Sequence, residues 1–137
     1  TTINLPLRAG VGDEGYVKFC ILVVRPDARR FSPQLIIVSA GFDAHWADPL
    51  AGISLSLAGY AHLTRALVAM ANELCEGRIV FALEGGYNPV VLGNAVLNVC
   101  YALLGRDQVI DPLAEAGQEE PSVERLLGEA RRIHQLR

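Results

Sequence analysis

Gln34-Leu35-Ile36-Ile37-Val38-Ser39-Ala40 is a short β-branched run that ends in small residues, and a loop rich in chemistry follows it directly. A second run, Arg78-Ile79-Val80-Phe81-Ala82-Leu83, ends at Glu84-Gly85-Gly86. Both runs are continuously apolar rather than alternating, the pattern of strands covered on both faces of a parallel sheet. Between them Ser56 is placed to cap a helix. Tyr60, Leu63, Leu67, Met70 and Leu74 share its apolar face, and Gly77 stands where a helix-ending glycine is expected.

Further out, Asn88-Pro89 pairs an N-cap with a proline at the first helical position, predicting a helix to about Leu104 that stops at Gly105. Residues 106–120 are acidic and turn-rich and read as a surface loop. Pro121 opens a last amphipathic helix over 121–136, carrying Val123, Leu126, Leu127, Ala130 and Ile133. Upstream, Val17 to Val24 favours a strand by local propensity. Asp13 as a cap and the room a crossover needs favour a helix over Glu14 to Arg30, disturbed near Pro26. Ile3 to Leu7 is a weaker strand, with Pro6 arguing for an edge or a loop. The order predicts an α/β chain of the three-layer α/β/α kind with a parallel sheet. In such sheets ligands sit at the C-terminal ends of the strands.

With 137 residues and a 51 % hydrophobic content, one domain with a sizeable core is expected. The net charge of −3 offers no basic stripe for direct nucleic-acid binding. No apolar run reaches the roughly 18 residues of a membrane span, so no membrane partner is expected. Cys20, Cys75 and Cys100 lie apart in apolar runs and form no CxxC pair. Buried thiols in a reducing, cytoplasmic setting are the expectation. The opening Thr1-Thr2-Ile3-Asn4 has no Met and no signal pattern, and reads as a fragment or a processed product. His45, His62 and His134 are too few and too scattered for a complete His/Cys metal site.

The two strand-end loops concentrate the chemistry. The first, Ser39 to Leu50, packs Asp43, His45, Trp46 and Asp48 into a few residues. A carboxylate there is a helix cap, a hydrogen-bond hub or a metal ligand. Pro49 holds Asp48 extended, which can fix the aim of its side chain. The second, Leu83 to Pro89, has paired glycines that allow a tight turn or a close approach. Tyr87 either covers that turn or aims a phenol at a reacting oxygen. A phosphate cradle of Gly85, Gly86 and the helix N-terminus is a rival, without a GxGxxG or GKS/T pattern to support it.

SAGFDAHWADPLAGISLSLAGYAHLT resembles the histone deacetylase superfamily segment that holds the third zinc ligand, and LEGGYN resembles the same family's tyrosine loop. The style is nearer the bacterial and class II branch. The resemblance runs from NLPLRAGVGDEGY to PSVERLL, nearly the whole chain. It implies the C-terminal portion of a zinc-dependent deacetylase domain of partial arginase/deacetylase-like fold. Residue by residue it implies zinc coordination by Asp48, a hydrogen bond from Tyr87 to the acyl carbonyl, and a structural or supporting role for Asp43. Gly85 and Gly86 would shape the substrate tunnel. Polyamine-selective relatives have a glutamate where Leu50 stands; its absence lowers the polyamine reading, and acetylated lysine in proteins, small acylated amines and longer acyl groups all stay open as substrates that the resemblance implies. His45 falls where the family varies and is not assigned as a ligand, and His62 reads as a packed or surface histidine.

The family's other Asp and His ligands and its histidine pair lie around a DxHHGNGT-like motif that is absent here, and no His-His pair occurs in the chain. One carboxylate cannot hold zinc tightly. The isolated chain is therefore expected to be inactive and to need an N-terminal half or another chain as partner. The alternative is a non-catalytic α/β binding or assembly module derived from such an enzyme. A nucleotide-binding domain would need a phosphate loop. Cutting a parallel sheet also exposes a strand edge and apolar surface, which predicts association or marginal stability.

Overall fold

The computed structural model describes residues 2–136; Thr1 and Arg137, the ends of the expected 1–137 unit, lie outside the described residues. The two apolar runs form strands Ile36–Ala40 (β1) and Ile79–Leu83 (β2). They pair in parallel, Ile36 opposite Ile79 and Ala40 opposite Leu83. Each starts one or two residues later than its apolar run. The helix between them, Leu57–Cys75 (α3), begins at Ser56, whose Oγ accepts from the Gly59 amide at 2.9 Å. It ends with Glu76 and Gly77 both at positive φ, 55° and 77°. The helix after β2, Pro89–Leu103 (α4), begins at Asn88, whose Oδ1 accepts from the Val90 and Val91 amides at 3.0 and 3.4 Å. Helices α3 and α4 pack on each other and meet one face of the sheet through Phe42, Leu55, Leu57, Tyr60, Val91, Ala95 and Val99, with Ala40 and Phe81 against them.

The opposite face is bare among the described residues. Ile37 is 68 % exposed and Val80 50 %, although the continuous apolar runs predicted cover on both sides. The architecture is thus a parallel two-stranded sheet with helices, consistent with the expected α/β class.

The ambiguous stretch is helical throughout, as Asp13–Phe19 (α1), a π-helical turn over Cys20–Val24, and Arg25–Phe31 (α2). Its disturbance falls just before Pro26. Proline has no N–H to give back to the preceding turn and its ring crowds the carbonyl there. Widening that turn to a π-type ladder lets the helix pass through. Asp13 is not the cap expected of it. Gly12 holds that position without a side-chain bond, and Asp13 instead accepts from the Ser56 amide at 2.8 Å and from Ser56 Oγ at 2.5 Å. The α1 amides of Glu14 and Gly15 donate to Glu120 at 3.0 and 3.1 Å.

Ile3, Leu5 and Leu7 make no strand. They face a second cluster of Val11, Phe19, Val23, Val123, Leu127 and Ala130 with no sheet neighbour among the described residues. The last helix, Glu124–Ile133 (α5), starts three residues after Pro121 and carries Leu127 and Ala130 into that cluster. Residues 106–120 contain no helix or strand, yet they are tied down rather than lying loose on the surface. Asn98, buried in α4, accepts from the Ile110 amide at 2.9 Å and donates to its carbonyl at 2.8 Å. Asp111 accepts from the Ala58 amide at 3.0 Å, at the start of α3. Cys20 and Cys75 are buried as expected, but Cys100 on α4 is exposed. No helix among the described residues is long and apolar enough to cross a membrane.

Candidate active site

The backbone ladder of the sheet continues beyond both strands. Glu84 N–H donates to the Ala40 carbonyl at 3.0 Å and Phe42 N–H to the Gly85 carbonyl at 2.9 Å. The two loops at the C-terminal end of the sheet are therefore held side by side before any side chain is considered. Asp48 then joins them. It is 8 % exposed, its Oδ1 accepts from the Leu50 amide at 3.0 Å, and its Oδ2 accepts from the Tyr87 amide at 2.8 Å. Asn88, read from sequence only as a cap, adds a second tie by donating from Nδ2 to the Ala47 carbonyl at 3.0 Å. Tyr87 is 59 % exposed, so its backbone is fixed while its phenol faces solvent.

Asp43 does not meet Asp48. Its carboxylate lies in a notch left by two glycines: a Cβ on Gly85 would stand 2.8 Å from it, and one on Gly41 2.7 Å. Gly86 has φ +134° and packs against Phe42 and Leu92, where a Cβ would come within 3.2 Å of each. These glycines are thus required by Asp43 and Phe42 on the inner side of the loop. Leu50 is 67 % exposed beside Asp48. Beneath the loops, Tyr16, Asp43, Tyr60, Phe81 and Val99 line part of a cavity of about 310 Å³. The Tyr60 hydroxyl is buried there with no well-formed hydrogen bond, and burial foremost, with Tyr16 and Asp43 nearby, pushes its ionisation upward. Burial and then Asp43 do the same to Tyr16.

His45 is the residue whose place sequence reasoning did not anticipate. It is fully buried, Nδ1 accepts from the Ala47 amide at 3.0 Å, and the Asp48 amide donates to its carbonyl at 2.9 Å. Nε2 has no partner among the described residues, and leaving a buried donor unmade costs about 1–3 kcal/mol. Burial lowers its pKa, against the pull of Asp111, Asp13 and Asp48. The neutral imidazole is consistent with Nδ1 acting as acceptor. His62 is exposed on α3. Trp46 Nε1 donates to the Ala114 carbonyl at 2.9 Å, so the 106–120 segment also braces this loop.

Asp48 fits the part of a metal ligand. Each carboxylate oxygen accepts a single amide and keeps a further lone pair. The described residues bring no group of three or more His, Cys, Asp or Glu together for a metal ion. The described residues thus form no metal cage by themselves.

Residues 1–103 match the family described as "Histone deacetylase domain", a span that includes both loops. The chain is 45 % identical over 109 residues to "Histone deacetylase 14, chloroplastic" of Arabidopsis thaliana, covering 80 % of this chain and 26 % of that protein. It is 39 % identical over 142 residues to "Histone deacetylase 10, chloroplastic" of Oryza sativa subsp. japonica, covering 99 % of this chain and 32 % of the relative. The solved structure of the histone deacetylase Clr3 superposes with a TM-score of 0.77 at 32 % identity, over 97 % of this chain and 21 % of that one. The chain belongs to the histone deacetylase family. It spans about a quarter to a third of the length of these two relatives.

Proposed function

We propose that this chain is the part of a zinc-dependent deacetylase that supplies one metal ligand, Asp48, and the oxyanion-stabilising tyrosine, Tyr87. The reaction class is hydrolysis of acetyl-amide bonds in acetyl-lysine or a related small acylated amine. The observation that carries this reading is the 2.8 Å bond from the Tyr87 amide to Asp48 Oδ2, which couples the two loops. A bound zinc ion would supply Lewis acidity toward an amide carbonyl and toward water. Asp48 would be one of its ligands, aimed by the Leu50 and Tyr87 amides. The Tyr87 phenol, free in solvent on a fixed backbone, would donate a hydrogen bond to the oxygen that gains charge as the acyl carbon becomes tetrahedral. Asp43 supports the loop from within, and Gly85, Gly86 and the apolar Leu50 border the substrate channel. Leu50 places no charge beside a cationic substrate.

The remaining ligands and the general base and acid come from residues outside these 137, and the chain by itself is inactive. The test is hydrolysis of an acetyl-lysine peptide by the chain alone and after mixing with the N-terminal half of a deacetylase of this family. No turnover alone and chelator-sensitive turnover after mixing are expected. In the mixture Tyr87→Phe lowers kcat by about 10²–10³, the usual effect of losing one oxyanion donor. Zinc-dependent turnover by the chain alone, or full activity of the Tyr87→Phe mixture, would overturn the reading.

A further inference from the structure

Resting on the reading of Asp48 as a metal ligand, the geometry points to His45 as a positioning residue that sets the aim of the Asp48 carboxylate through the Ala47 amide. The chain from His45 to Asp48 closes as one turn around this side chain. Nδ1 accepts from the Ala47 amide at 3.0 Å and the His45 carbonyl accepts from the Asp48 amide at 2.9 Å. One residue therefore holds two consecutive amides on the approach to Asp48. His45 is itself anchored. The Trp46 amide donates to the Leu55 carbonyl and the Leu55 amide to the Ala44 carbonyl, each at 3.1 Å, just ahead of α3. The aim of Asp48 is thus referred to the start of a long helix rather than to a loose loop.

Nothing about the space requires a histidine. The site is fully buried and Nε2 has no partner among the described residues. An apolar side chain of similar size would fill it without leaving a buried donor unmade. What the imidazole adds is an acceptor at Nδ1. On the other side of Asp48, Pro49 restricts the backbone. With both flanks held, the remaining freedom of Asp48 is its side-chain torsion, which the Leu50 and Tyr87 amides then fix. Removing the Nδ1 acceptor frees the Ala47 peptide to rotate and passes slack to those two bonds.

Amide hydrogen exchange on the whole 137-residue chain reads those bonds directly, with the Val99 amide inside α4 as internal reference. His45→Leu keeps the volume and removes the acceptor. His45→Asn offers an acceptor near the position of Nδ1, and His45→Gln offers one near that of Nε2. Relative to Val99, exchange at Leu50 and Tyr87 is expected to rise about tenfold in His45→Leu and His45→Gln, and to stay within about threefold of the parent in His45→Asn. Unchanged protection in His45→Leu, or loss in His45→Asn equal to that in His45→Leu, overturns the proposal, since histidine would then only fill space. If His45→Leu does not fold, the contrast between the Asn and Gln variants decides by the same criterion. None of these readings involves zinc or turnover. A failed mixing experiment therefore sinks the deacetylase reading alone, and an unchanged exchange pattern sinks the positioning role alone.

Discussion

Gly85 shows how tightly the inner side of the tyrosine loop is specified. A methyl group there would stand 2.8 Å from the Asp43 carboxylate, closer than carbon and oxygen tolerate. Asp43 has the Gly41 backbone on its other side, so it cannot retreat without moving the loop. Gly85→Ala is expected to destabilise the chain by about 1–3 kcal/mol, the range for overpacking a closed site. A denaturant midpoint measures this. Asp43→Ala made together with Gly85→Ala removes the clash, and the double variant is expected to be no less stable than Asp43→Ala alone. Equal stability of Gly85→Ala and the parent would show that the notch is wider than its contacts indicate.

The elements are joined by polar links that no periodicity reveals. Glu73 on α3 accepts from Arg25 at 2.7 Å and from Arg29 at 2.6 Å, both on the helix that follows the π-helical turn. The Arg29 bond foremost, then that of Arg25, holds the Glu73 carboxyl down to about 2, from an ordinary value of 4.5. The folded carboxyl is therefore the stronger acid. Its contribution to stability is fully present above about 4.5 and is lost as pH falls from there toward about 2. Glu73→Gln is expected to lower stability at low salt above about pH 4.5 and to flatten this acid limb, the two proteins converging as pH falls toward about 2. Salt should shrink the difference, because the pair is exposed to solvent. An acid limb of unchanged steepness in Glu73→Gln would assign it to other carboxylates.

For the whole molecule, the bare sheet face is the dominant feature. Ile37 and Val80 stand adjacent on paired strands at 68 % and 50 % exposure. Such a patch beside unpaired strand edges favours self-association. The chain is expected to form concentration-dependent oligomers in sedimentation velocity. Ile37→Lys with Val80→Lys should return it to monomer with its helical circular dichroism retained, since neither side chain is part of the buried core. A monodisperse parent monomer at tens of micromolar would rule out association through this face.

The sequence by itself determined both strands, the caps at Ser56 and Asn88, the stop near Gly105 and the two loops that carry Asp48 and Tyr87. Each of these is a local signal: a β-branched run, a capping oxygen, a proline or a glycine whose effect is spent within one turn of chain. The family was legible too, because its motifs lie in those same loops. Tertiary structure alone decided what joins them. Asp48 meets the Tyr87 amide 39 residues away, Asp13 leaves its own helix to bind Ser56, and the 106–120 segment is pinned by Asn98. His45 is named in its loop but carries no assigned role in the sequence, because an acceptor on an imidazole nitrogen has no sequence signature. It takes its role from being buried, and burial is set by everything that packs around it.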